Sequence, residues 1–191
     1  MPYTKEHKQN TRIKILETAF RLFAVKGFDG VTVNVIMNDS GLTRGAFYAH
    51  FTSKADLYSE SLKYSASSSN LTKLKPDGIS DKEWLCILLD GYLSLAHVQG
   101  KYPCPLAFLA TDINTRNVET KEVYNGVYEG MNKAIMAFAK SYTDCDEHDI
   151  LSITAMIIGA VAIARTMDNK SAVIKLLSAC RREAGIKLGG I

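Results

Sequence analysis

Patterns typical of metal sites and catalytic sites are missing from this 191-residue sequence. Its four cysteines, Cys86, Cys104, Cys145 and Cys180, form no Cys-x-x-Cys pair, and no histidine lies at metal-ligand spacing from them. The four histidines are scattered, and the chain has neither a phosphate-binding glycine loop nor a catalytic serine motif. We therefore expect no metal, no cofactor and no enzymatic activity.

Long hydrophobic runs are also missing. The N-terminal segment MPYTKEHKQNTR is polar and contains no apolar stretch typical of a secretory signal. The longest nearly uncharged run, residues 150–164, is shorter than the roughly 20 residues that a membrane-spanning helix needs. These features predict a cytoplasmic protein with reduced thiols and no membrane partner.

Excess charge is small and confined to one part of the chain. The net charge is +3, and residues 1–64 carry all of it, with nine Lys or Arg against six Asp or Glu. The remaining residues contain fourteen of each kind. A polyanionic partner for the N-terminal third is one interpretation, and chance is the other, because the excess is only three charges.

Strand patterns are nearly absent. The segment VTVNVI alternates briefly, but a short helix capped by Thr32 fits it equally well. Elsewhere apolar residues recur with the helical period, as do Leu16, Phe20 and Phe23 in a first helix that ends near Gly27. We predict an all-α protein of nine helices without internal repeats.

The second and third predicted helices are joined by NDSGLT, a connection with the length and glycine content of a helix-turn-helix. In that motif the first residues of the second helix meet base edges in the major groove of DNA. Here those residues are Thr43, Arg44 and Gly45. Arg44 can pair with guanine O6 and N7, and Gly45 lets the backbone approach the duplex at the expense of helix propensity.

A group of polar side chains follows the third helix. Ser53 is a predicted N-cap, so Lys54 places a cation in a first helical turn, where it opposes the helix dipole. A phosphate at this point would reverse that effect, because the ammonium and the free N–H groups would face the same anion. Tyr48 and His50 lie shortly before and can also donate hydrogen bonds to phosphate.

The segment TRIKILETAFRLFAVKGFDGVTVNVIMNDSGLTRGAFYAHFTSKADLY resembles the DNA-binding region of TetR-family transcriptional regulators. The resemblance implies double-stranded operator DNA as a partner, with base contacts from Arg44 and from Asn34 in the second helix. It also implies phosphate contacts from Thr32, Thr43, Tyr48, His50 and Lys54. For the rest of the chain it implies a homodimer and a domain that binds a small-molecule effector.

The C-terminal sequence favours dimerisation in its own right. Residues 150–164 are apolar nearly all round, so one side can face the subunit core while the other needs a second buried surface. Small residues within this run permit close helix approach. The last helix would join a four-helix bundle between two subunits through Val173, Leu177, Cys180 and Ala184. The alternative is a central core helix in a monomer.

A ligand pocket is less clearly indicated, because Met and aromatic residues at helical spacing are usually core. The candidate lining residues are Trp84, Tyr92, Cys104, Phe108, Tyr128, Met131, Met156 and Arg165. Cys104 precedes Pro105, which suits a first helical position, and a helix N-terminus can lower the pKa of a thiol. This permits a second interpretation, a thiol that senses oxidants or electrophiles, against that of an inert buried cysteine.

Two domains are predicted. Residues 1–52 form the helix-turn-helix DNA-binding domain, and residues 53–191 form a helical regulatory domain that dimerises mainly through residues 147–186. A helix from about 53 to 70 connects them. The predicted function is a repressor that binds a palindromic operator as a homodimer and is released by a small hydrophobic effector. The alternatives are the Cys104 sensor and a ligand-binding protein without DNA binding.

Overall fold

The computed structural model describes residues 4–68, 73–100 and 104–191. Within these ranges the chain forms eleven α-helices and no β-strand, which confirms the predicted all-α class. In chain order the helices are α1 (Lys5–Lys26), α2 (Val33–Asp39), α3 (Arg44–Tyr48), α4 (Lys54–Ser68), α5 (Asp81–Tyr92), α6 (Leu95–Val98), α7 (Pro105–Phe108), α8 (Ala110–Ile113), α9 (Val118–Ala139), α10 (Glu147–Ala164) and α11 (Lys170–Lys187).

The predicted number of nine helices is wrong, because two predicted helices are each divided. The sequence predicts a fifth helix marked by Trp84 to Leu95, a break at Gly100 and Pro103, and a sixth helix that starts at CPLAFLATDI. The fifth ends at Tyr92, where the Ser94 hydroxyl accepts a hydrogen bond from the His97 N–H (3.1 Å) and caps α6. The sixth is interrupted at Leu109, between α7 and α8. Apolar periodicity continues through both breaks, so it could not reveal them. Pro103, the expected breaker, lies outside the described residues.

The helices pack into two compact units. Of the described residues, the first unit contains 4–68 and 108–125, and the second contains 73–100, 104–107 and 126–191. Helix α4 belongs to the first unit because it packs against α1. These units describe packing, and the functional division predicted between residues 52 and 53 stays a prediction.

The core of the first unit forms between α1 and α4. Leu16 and Phe23 of α1 are almost fully buried, as are Leu57 and Tyr58 of α4. The rings of Phe23 and Tyr58 meet edge to face, with centroids 4.8 Å apart. Gly27 ends α1 with a φ of 68°, a left-handed conformation that glycine adopts without strain, and its N–H donates to the Phe23 carbonyl.

In the second unit, α10 and α11 pack against each other, and α10 has two distinct faces. Its buried face comprises Ile150, Ile153, Thr154, Ile157, Ala160, Val161 and Ala164. On the opposite face, Leu151 and Ile163 are 38% and 55% exposed. By length and composition α10 could cross a membrane, but the core helix of a water-exposed protein passes the same test.

Three of the four contact residues predicted for α11 are wrong, whereas the fourth, Cys180, is half-buried. Val173, Leu177 and Ala184 are at most 2% exposed within one subunit, so they belong to its core and cannot meet another subunit. The large apolar residues of α11 that are exposed are instead Ile174 and Ile186. A seven-residue spacing marks one face of a helix, but it does not tell which neighbour covers that face.

Candidate nucleic-acid interface

Helices α2 and α3 are joined by a turn with a dense set of local hydrogen bonds. The Ser40 hydroxyl donates to the Met37 carbonyl (2.9 Å), and the Leu42 N–H donates to the same carbonyl (2.9 Å). Gly41 has a φ of 65°, which a residue with a Cβ rarely adopts. The predicted turn between two short helices is therefore present, with Gly41 at its left-handed position.

Two threonines begin the two helices. Thr32 caps α2 by accepting a hydrogen bond from the Val35 N–H (3.2 Å), and Thr43 caps α3 by accepting one from the Ala46 N–H (3.4 Å). Phe47 is 1% exposed and anchors α3 to the core of the first unit. Because one side of α3 is held in this way, its opposite side faces outward.

Arg44 and Tyr48 lie together on the outward side of α3. The Arg44 guanidinium donates to the Tyr48 hydroxyl (3.4 Å), and its Cζ lies 5.9 Å from the centroid of the Tyr48 ring. Both residues are exposed, Tyr48 by 59%. The guanidinium has five donors, so this contact leaves most of them available to a ligand.

Gly45 is not required by packing within the protein. A Cβ added at this position would meet only the Thr43 hydroxyl oxygen, at an ordinary 3.8 Å. Glycine lowers helix stability by about 1 kcal/mol relative to alanine. Its presence here is consistent with the predicted close approach of another molecule to the α3 backbone.

The predicted DNA-contact residues lie together in the first unit but differ in exposure. His50 and Lys54 are half-buried. The exposed members of the set are Thr32, Asn34, Thr43, Arg44, Gly45 and Tyr48. Burial lowers the pKa of His50, and the nearby positive charges of Lys8 and Arg12 lower it further. The sequence did not mark Lys8 and Arg12 as neighbours of His50, because they lie on α1.

The structure contradicts the assumption that Lys54 has an uncompensated ammonium. Its Nζ donates to the carbonyls of Phe28 and Val31, both at 3.0 Å, and lies 3.9 Å from the centroid of the Phe28 ring. Ser53 does cap α4, through a hydrogen bond from the Asp56 N–H (3.0 Å). A phosphate contact by Lys54 stays a prediction, but the ammonium already has acceptors inside the protein.

Replacing Lys54 with methionine is expected to destabilise the fold. The substitution keeps most of the aliphatic stem and removes the donors, so the Phe28 and Val31 carbonyls lose their partner. We expect a loss of about 1–3 kcal/mol in the free energy of unfolding, measured by urea denaturation. Lys63→Met is the matched control, because Lys63 is 57% exposed on the same helix and its ion pair with Glu60 is worth little. Equal stability of the two variants would contradict the role assigned to Lys54.

The candidate ligand residues are distributed over both units. Phe108 belongs to the first unit and the other seven to the second. Within the second unit the Tyr92 hydroxyl lies 3.0 Å from the Cys104 Sγ, and the Tyr128 hydroxyl lies 3.1 Å from the Thr154 Oγ1. A cleft of about 560 Å³ in the first unit, between α4 and the start of α9, contains none of the eight. Lining of an effector pocket by these residues stays a prediction.

The chemical basis of the Cys104 sensor is wrong. Cys104 does precede α7, and N–H groups of Leu106 and Ala107 reach its sulfur. However, the thiol is 7% exposed, and burial raises its pKa despite these contacts and the Tyr92 hydroxyl. A buried thiol with a raised pKa is a poor nucleophile. The described residues contain no group of three or more His, Cys, Asp or Glu side chains that could hold a metal ion.

Comparison with known proteins identifies relatives of the N-terminal region. Residues 15–60 match the family model described as bacterial regulatory proteins, tetR family. The transcriptional regulator AcrR of Shigella flexneri is 42% identical over 72 residues, which are 38% of this chain and 33% of AcrR. A probable acrEF/envCD operon repressor of Escherichia coli is 40% identical over 57 residues, which are 30% of this chain and 26% of that protein. The chain thus aligns with about a third or less of the length of these relatives.

Structural similarity extends further along the chain. The crystal structure of reduced E. coli NemR superposes with a TM-score of 0.79 over 92% of this chain and 95% of that one, at 15% identity. At this identity the likeness concerns the fold alone. It shows that the helices beyond the sequence match also follow the arrangement of a known protein.

Proposed function

We propose that this chain is a transcriptional regulator of the TetR family that represses transcription by binding operator DNA as a homodimer. The observation that carries the proposal is the outward side of α3. There Arg44, Gly45 and Tyr48 are exposed, in a helix that Thr43 caps. This side would enter the major groove, with Arg44 reading guanine. Repression is supported by the E. coli relative that is named as an operon repressor.

A homodimer is supported by the exposed apolar face of α10. Leu151, Ala155 and Ile163 are exposed, and Gly159 lies near them in open space, since a Cβ there would meet no atom within 4 Å. Ile174 of α11 adds to the exposed apolar surface of the second unit. Apolar surface of this kind is stabilised by burial against a second copy. The dimer would place two α3 helices in successive major grooves, about 34–36 Å apart or a multiple of this.

The proposed effector is a small hydrophobic molecule bound in the second unit. Aromatic and Met side chains there, Trp84, Tyr92, Tyr128, Met131 and Met156, support an apolar ligand. Release of DNA would follow if the effector binds one conformation more tightly than the other, with a coupling of about 1–3 kcal/mol. We place the protein in the cytoplasm, where such a regulator meets DNA.

Selection of binding sites from random DNA duplexes tests the proposal. We expect enrichment of an approximately palindromic site, which would support both the dimer and its operator. A selection that enriches no sequence would contradict DNA recognition and favour a ligand-binding protein that does not bind DNA.

A phosphate contact by His50 predicts a dependence of DNA affinity on pH. The pKa of His50 is lowered in the free protein, so the imidazole is neutral at pH 7. A neighbouring phosphate stabilises the charged form and raises the pKa in the complex. Affinity for DNA should therefore increase as the pH falls from about 7.5 to about 5.5. His50→Gln should remove the part of this increase that comes from protonation of His50. His148→Gln in the second unit is the control, and titration by fluorescence anisotropy is the measurement. The contact is contradicted if His50→Gln leaves the pH profile unchanged.

A further inference from the structure

Phe28 is held on several sides by groups from distant parts of the first unit. Its N–H donates to Asp112 Oδ1 (3.3 Å), and its carbonyl accepts from Lys54 Nζ (3.0 Å). The Lys54 Nζ lies 3.9 Å from the centroid of its ring, and the Arg116 Cζ lies 4.6 Å from it. Phe28 thus joins α4 to the segment that contains α8.

The Asp112 carboxylate connects several of these groups. In addition to the Phe28 N–H, it accepts a hydrogen bond from the Tyr58 hydroxyl (2.6 Å) and lies 3.5 Å from the Arg116 guanidinium. Arg116 in turn pairs with Asp29 at 2.8 Å. Burial and the bond to Asp112 raise the pKa of Tyr58, so its hydroxyl stays a donor at neutral pH. One carboxylate therefore links α4, α8 and the loop between α1 and α2.

That loop leads directly into the helix-turn-helix. Phe28 lies four residues before Thr32, the N-cap of α2, and its carbonyl accepts from the Val31 N–H (3.3 Å). The Val31 carbonyl accepts from Lys54 Nζ, and a Cβ at Gly30 would lie 2.3 Å from the Lys26 carbonyl oxygen. The loop is closely packed and hydrogen-bonded, so a displacement of Phe28 would move the start of α2.

We propose that Asp112 is a positioning residue for DNA recognition. It holds Phe28, and through Phe28 the start of α2, in the position that the helix-turn-helix needs to fit the major groove. This rests on the proposed function and deepens it, because it assigns the control of the N-terminal helices to a carboxylate more than seventy residues later in the chain. Movement of α8 would then change DNA affinity through Asp112, without any contact between α8 and DNA.

The test compares Asp112→Ala with Thr120→Val. The Thr120 hydroxyl forms a 2.9 Å hydrogen bond with Ser59, so its loss also removes a link between α4 and the start of α9 but leaves the contacts of Phe28 unchanged. Affinity for the duplex selected by the wild-type protein is measured at a temperature where circular dichroism shows every variant to be folded. We expect Asp112→Ala to weaken binding by about tenfold or more. This is the change in affinity that corresponds to the loss of one hydrogen bond to a charged group. Thr120→Val should stay within about twofold of the wild type.

Hydrogen–deuterium exchange of the free proteins provides a readout that does not depend on DNA. Asp112→Ala should accelerate exchange in the peptide 28–37 relative to Thr120→Val, because the start of α2 is released. Asp112→Asn, which keeps an acceptor for the Phe28 N–H, should be intermediate in both measurements and replaces the alanine variant if that one does not fold. Unchanged affinity and unchanged exchange in the Asp112 variants would overturn the proposal. If the wild-type protein selects no duplex, the proposed function fails, and the role of Asp112 in DNA recognition fails with it. The exchange comparison then decides only whether Asp112 holds the start of α2.

Discussion

Replacement of Arg44 by alanine is expected to abolish base discrimination at one position of each half-site. A bidentate arginine–guanine pair contributes about 1–3 kcal/mol, so affinity for the selected duplex should fall by about 5- to 150-fold per half-site. The structure supports this assignment because Arg44 is exposed at the start of α3 and held along the helix by Tyr48. Site selection with the variant, followed by titration of the wild-type site, measures both effects.

Two controls separate base reading from charge. Arg44→Lys keeps the charge but lacks the planar, rigid fork of the guanidinium, so it should retain the salt dependence of binding and weaken the base preference. Arg182→Ala removes an arginine from the second unit that is 72% exposed, and it should leave the selected sequence unchanged. If Arg44→Ala selects the wild-type sequence with wild-type affinity, Arg44 does not read a base.

Replacement of Ile163 by glutamate is expected to separate the proposed dimer. Ile163 lies in the exposed apolar face of α10, and a carboxylate buried there without a partner costs several kcal/mol. Sedimentation analysis should show a monomer. Operator affinity should fall by about 100-fold or more, because the two α3 helices would no longer bind as a linked pair.

The matched control for this variant is Ile87→Glu on α5. Ile87 is 52% exposed and Ile163 is 55% exposed, so the two substitutions add the same charge at sites of similar accessibility. The α5 variant should remain dimeric and bind the operator as the wild type does. A dimeric Ile163→Glu protein would show that the interface lies elsewhere, and equal dissociation of both variants would point to a general effect of charge.

Local sequence rules accounted for the helix-turn-helix because its causes are local. Thr32 and Thr43 cap the next helix through their own side chains, and Gly41 supplies a left-handed turn residue. Each of these features depends on residues within four positions of one another, so residue type and spacing predict them. The same holds for the beginning of α4 at Ser53.

Sequence rules failed where the outcome depended on residues far apart in the chain. Lys54 was expected to place its charge against the helix dipole, with a phosphate as the group that compensates it. The Phe28 and Val31 carbonyls, more than twenty residues earlier, already accept its hydrogen bonds. One of the two interpretations of Cys104 required a lowered pKa of its thiol, but burial raises that pKa. In both cases the local effect of the helix N-terminus is outweighed, by a tertiary contact at Lys54 and by desolvation at Cys104.

The sequence by itself determined the helical class, the turn between α2 and α3, and the outward placement of Arg44 and Tyr48, since periodicity, caps and a single glycine suffice for these. Only the tertiary structure decided which face of α11 is buried, which side of α10 stays exposed, and which groups surround Phe28. Those properties depend on which helices become neighbours. The packing of complete helix faces determines which helices are neighbours, so no short segment of the sequence predicts it.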